Sequence, residues 1–127
     1  TLIREPMTLP EYQRALQSAD LALFPYEIIP YRKRTSGVFA EAVGYGKLVV
    51  APRGTWMAEQ IEAGHAAGAI FEALEPDTIA QAIAGCLAKR TTLEPLAQAL
   101  GAAWRERSSL ALFADYLEGQ IAIRSQR

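Results

Sequence analysis

One cysteine and one histidine stand among 127 residues, and that scarcity removes whole classes of chemistry. A single thiol, Cys86, permits no disulfide framework, and its place in an apolar helical stretch suits a small core residue in a reducing compartment. His65 has no Cys, Asp or Glu companions at metal-ligand or triad spacing, so no metal site is expected and a surface-loop position is. Long apolar runs are missing too. Nothing approaches the roughly 20 residues of a membrane span, or the charged start and apolar core of a signal peptide. A charge surplus is also lacking, with 13 Lys+Arg against 14 Asp+Glu, which argues against nucleic acid as the main partner. These absences together lead to the expectation of a cytoplasmic protein.

What is present is a half-apolar chain long enough for one globular domain. At this size folding buries roughly two-thirds of the surface that the unfolded chain exposes, so a core forms without staples. Charge is unevenly spread. Residues 31–53 hold five basic side chains and one acidic, whereas residues 54–82 hold five acidic and none basic. The basic group of Arg32, Lys33, Arg34, Lys47 and Arg53 is short and interleaved with Gly and Ser, which suits one small anion, such as a phosphate-bearing molecule.

The order of elements follows from local signals. Thr8-Leu9-Pro10-Glu11 forms a capping box, and Leu9, Tyr12, Ala15, Leu16 and Ala19 continue at helical spacing, so a helix is predicted over about Leu9 to Ala19. Leu2-Ile3 is a candidate short strand. Leu21-Ala22-Leu23-Phe24 is a second, of the uninterrupted kind buried on both faces of a parallel sheet. A polar loop from Pro25 to Arg34 leads to a helix that opens at Thr35-Ser36-Gly37 and is predicted to stop at Gly46. Lys47 to Ala51 is the clearest strand, Thr55 caps a helix that ends at Gly64, and Ala69-Ile70-Phe71 is the last strand. Three closing helices are marked by Ile79–Leu87, Leu93–Trp104 and Leu110–Ile121. Residues 1–75 thus alternate strand and helix and residues 76–127 close the domain, an α/β class with a Rossmann-like parallel sheet and flanking helices.

In open parallel sheets ligands bind at the carboxyl ends of strands, where the next helix offers unpaired N–H groups and the positive end of its dipole. Ser36-Gly37-Val38 is such a place. Gly37 lacks a side chain that would hold an anion away, Ser36 adds a hydroxyl, Arg32 and Arg34 lie just upstream, and Glu41 sits one turn further along the same helix face. The residues equally allow Ser36 to be a plain cap, Glu41 a solvated acid and the basic trio a solvated loop.

The stretch from Ser36 to Ala51, SGVFAEAVGYGKLVVA, resembles the donor-binding signature of the group 1 (family 4) glycosyltransferases of the GT-B fold. Ala19–Tyr26 upstream, Gly54-Thr55-Trp56 after the strand, and Ile61–Gly64 through Gly68–Phe71 downstream are similar to further segments of that family, so the likeness runs from about Thr8 to Phe71. It implies that Ser36, Gly37 and Val38 supply backbone or hydroxyl donors to the diphosphate of a nucleotide-sugar, and that Glu41 binds its ribose. It further implies that Arg34 contributes phosphate-neutralising charge and that the Gly54-Thr55 turn lines the sugar pocket. Transfer in such enzymes uses no bound metal and no cofactor beyond the donor, because the leaving diphosphate is met by amides, dipole and cations. Two positions depart, and one of them, Leu48 where the family often has Pro, is a minor matter of strand entry. Lys33, eight residues before Glu41, stands where the family commonly has the first of two glutamates, which points to a different donor or an altered mechanism.

The chain corresponds to only part of such an enzyme, which resembles two facing Rossmann-like domains. In the doubly wound order 3-2-1-4-5-6, Leu2-Ile3 takes the place of strand three and the later three those of strands four to six, with strands one and two missing. The chain also begins at Thr1 rather than Met, so the expectation is an incomplete donor-binding domain, inactive alone, completed by an N-terminal acceptor domain or a second chain. The rival expectation is a non-catalytic interaction module that dimerises through its apolar edge and terminal helices. A third, an oxidoreductase half, lacks its Gly-x-Gly-x-x-Gly turn.

Overall fold

The computed structural model describes residues 6–107. Its centre is a three-stranded parallel sheet in the order β1-β2-β3, with β1 at Leu21–Leu23, β2 at Leu48–Pro52 and β3 at Gly68–Phe71. Leu21 pairs with Leu48 and Leu23 with Val50, while Val49 pairs with Gly68 and Pro52 with Phe71. β2 is buried along its whole length because both of its faces are covered. Its side chains alternate between them. Val49 and Ala51 join Leu16, Phe24, Phe39, Ala42, Val43 and Met57, and Leu48 and Val50 join Phe71, Cys86 and Ala97. The sequence expectation of an α/β domain with a parallel sheet and flanking helices is met by this three-stranded core.

Each helix starts where its sequence provides a cap. α1 spans Leu9–Ser18, and its capping box is complete: Thr8 Oγ1 accepts from the Glu11 amide at 3.4 Å while the Thr8 amide donates to Glu11 at 3.2 Å. One turn of helix, α2 at Ile28–Tyr31, interrupts the segment read as a loop, and four residues that include Pro30 are too few for a periodic signal. α3 spans Gly37–Gly44, so it ends two residues before the predicted stop. The Tyr45 and Gly46 amides return to Glu41 and Val43, and Gly46 turns the chain out with φ of 74°. α4 spans Trp56–Glu62 behind Thr55, α5 spans Pro76–Ala88, and α6 spans Arg90–Arg107. The Leu2-Ile3 strand and the Leu110–Ile121 helix lie outside the described residues.

α6 crosses α3 closely. A Cβ on Gly101 would lie 2.6 Å from the Val43 carbonyl oxygen, so only glycine permits this approach. Arg105 then donates to the Gly44 carbonyl, placing a cation on an orphan acceptor at the carboxyl end of α3. α1, α3 and α4 therefore lie over one face of β2 and α5 and α6 over the other, and this sandwich fixes where α3 and α4 begin. No helix among the described residues is long and apolar enough to cross a membrane.

Candidate functional site

The starts of α3 and α4 sit side by side because two strand-to-helix connections, β1 to α3 and β2 to α4, share an aromatic floor. Phe24, just past β1, meets Phe39 of α3 at 5.3 Å between ring centroids, and Phe39 meets Trp56 at the start of α4 at 5.6 Å. Tyr26 stands edge-on to Phe24 at 5.8 Å and packs on Tyr31 at 4.5 Å. Such ring pairs each add about 0.5–1.5 kcal/mol beyond the area they bury. The α2 turn is thereby held over the end of β2, where a Cβ on Gly54 would meet Ile28 Cγ2 at 3.0 Å. With φ of 90°, Gly54 also has a backbone that other residues resist.

At the start of α3 the donors divide into used and unused. Ser36 is buried, and its Oγ accepts from the Phe39 amide at 3.2 Å, while its carbonyl accepts from Ala40 at 3.1 Å. The amides of Gly37 and Val38 find no acceptor among the described residues, and both residues are exposed. Nothing lies within 4 Å of the position a Gly37 Cβ would take. Two backbone donors at the positive end of an eight-residue helix are thus uncommitted among the described residues.

The cations do not gather as the sequence suggested. Arg32, Lys33 and Arg34 remain exposed beside Gly37, without an acidic partner among the described residues, and the Arg34 guanidinium lies 5.7 Å above the Tyr31 ring. Lys47, by contrast, donates to the Gln17 carbonyl at the amino end of the sheet. Arg53 bridges Glu62 at 2.7 Å and Glu72 at 2.8 Å, tying the end of α4 to the exit of β3. Two of the five basic side chains are therefore structural, and those left exposed near the start of α3 are the trio from Arg32 to Arg34.

The Gly54-Thr55 turn divides in the same way. Thr55 is fully buried, donating to the Pro52 carbonyl at 2.7 Å and accepting from the Ala58 amide at 3.2 Å, so its hydroxyl is committed to capping α4. Only exposed Gly54 offers surface there.

Glu41 is exposed on α3 one turn beyond Gly37, and its carboxylate acts on Tyr12 of α1. Burial, and then the Glu41 charge, raise the Tyr12 phenol above its ordinary pKa. The Tyr12 hydroxyl is enclosed, yet no atom meets it in hydrogen-bond geometry. A buried hydroxyl left so costs about 1–3 kcal/mol. From the sequence Tyr12 is legible only as one of the apolar positions of α1, because nothing along the chain connects it to a residue 29 positions later.

Other candidates resolve simply. His65 is half-buried, with Nδ1 3.0 Å from Gln60 Oε1, and burial pushes the Cys86 thiol up, away from the reactive thiolate. Trp56 and Trp104 are half-buried and pack against the core. A polar hollow of about 130 Å³, lined by Asp20, Lys47, Glu94 and Gln98 among others, opens at the amino end of the sheet, opposite Gly37. No protein-family model, curated protein or solved structure matches this chain.

Proposed function

We propose that this chain is the nucleotide-sugar-binding portion of a glycosyltransferase of the hexosyl-transferase type, with the diphosphate of the donor on the Gly37 and Val38 amides. The observation that supports this best is that those two amides find no acceptor among the described residues, that the space a Gly37 Cβ would take is clear, and that Arg32, Lys33 and Arg34 stand exposed beside them with no acidic partner among those residues. Ser36 sets the geometry by capping α3 and keeps its hydroxyl proton for a phosphate oxygen. Arg34, steadied by Tyr31, neutralises charge that builds on the leaving diphosphate. Glu41 accepts hydrogen bonds from the ribose, and Gly54 borders the sugar. The acceptor and much of the catalytic apparatus come from an N-terminal acceptor domain or a second chain, so the chain alone transfers no sugar.

A second reading, a non-catalytic module that forms a homodimer or meets another protein, draws support from Leu23 and Ile29. These apolar residues are 38% and 82% exposed around edge strand β1. Calorimetric titration of UDP and GDP separates the two. The donor reading expects heat with at least one nucleotide and about a tenfold weaker Kd for Glu41→Ala, the range of a lost hydrogen bond to a charged group. Silence with both nucleotides, together with concentration-dependent self-association, selects the module.

A further inference from the structure

Tyr12 is anchored by contacts that lie outside the candidate site. The capping box fixes the start of α1, the Tyr12 amide closes the first turn onto the Thr8 carbonyl at 3.0 Å, and buried Leu16 anchors the next turn in the core. The Tyr12 ring packs against that same core. Its hydroxyl is enclosed and without a partner, while Glu41 from α3, Tyr26 from the segment after β1 and Tyr45 at the end of α3 face it. Among these, Glu41 alone is a charged acceptor, and a phenol donating to a carboxylate makes the stronger bond. Glu41 is itself exposed and lacks any other side-chain partner among the described residues, so a small rotation of a flexible side chain completes a pair that the fixed ring has prepared.

We propose that Tyr12 is the positioning residue for Glu41: its phenol donates to the carboxylate and aims it at the ribose diol of a nucleotide seated at Gly37 and Val38. The role in ligand binding rests on the donor-site reading, whereas the pairing of the two side chains does not. The geometry separates the work. Gly37 and Val38 hold phosphate through the main chain, and Tyr12 acts one turn away on the sugar through Glu41. Burial and the Glu41 charge both disfavour ionisation of the phenol, as expected of a hydroxyl kept as a donor.

Two measurements on the full chain test this. Ultraviolet titration of tyrosinate, with the Tyr12→Phe spectrum subtracted, isolates this phenol, and Glu41→Gln is expected to shift its titration to lower pH. An unchanged titration means that Tyr45 or Tyr26 holds the hydroxyl and overturns the proposal. In the second arm, Tyr12→Phe is expected to weaken UDP about threefold to tenfold, the scale of one hydrogen bond, and to leave its 2′-deoxy analogue unaffected. Equal weakening of both, or of neither, overturns the positioning role. If the wild-type chain binds neither nucleotide, the donor-site reading falls and takes the ligand role with it, while the absorbance arm still decides the pairing. Phenylalanine keeps the ring packing and removes only an unpartnered hydroxyl, so the variant is expected to fold.

Discussion

Gly68→Ala is expected to destabilise the chain by about 3 kcal/mol or more, the upper range for overpacking a close contact. The added Cβ would lie 1.7 Å from the Val49 carbonyl oxygen and under 3.0 Å from two further Val49 backbone atoms. Those atoms belong to the middle of β2, where Val49 pairs with Gly68 itself and its amide donates to Ala67 at 3.1 Å. Relief therefore requires β2 and β3 to part, and with them the layer that carries both helix starts. Gly85 supplies the contrast. It lies inside α5, exposed, with nothing within 4 Å of a new Cβ, so Gly85→Ala is expected to stabilise by about 0.5–1 kcal/mol. Denaturant midpoints of the two variants should move in opposite directions.

The second large effect is on binding. Gly37→Asp is expected to weaken UDP or GDP by about a hundredfold or more, because a like charge set against a phosphate costs several kcal/mol and each 1.4 kcal/mol is tenfold. The same carboxylate sits in the first turn of α3, where it favours the helix by about 0.3–1 kcal/mol. It enters space that holds no other atom within 4 Å. A fold kept or strengthened while nucleotide binding disappears distinguishes an anion site from a merely structural helix start. Calorimetry and thermal unfolding on one preparation read both quantities.

Much of this arrangement was legible along the chain because its signals are local. The Thr8 and Glu11 capping box starts α1, Ser36 and Thr55 cap α3 and α4, and the unbroken Leu48-Val49-Val50-Ala51 run is the buried central strand. The missed features are those decided through space. Lys47 and Arg53 bracket one strand and therefore point to opposite ends of the sheet, so five basic residues close in sequence could not form one anion site. The burial of Thr55 depends on the Pro52 carbonyl turning back to meet it, and α2 is too short to leave a period. Tyr12 and Glu41 come together only because α1 and α3 pack on the same face of β2.

Backbone amide chemical shifts during a UDP or GDP titration test the central claim most directly, since the proposed contacts are main-chain N–H groups. The account predicts that the largest movements fall on Gly37 and Val38, with a smaller one at Glu41 and none around the hollow beside Lys47 and Gln98. Unmoved Gly37 and Val38 resonances at saturating nucleotide, or movement concentrated elsewhere, would contradict it.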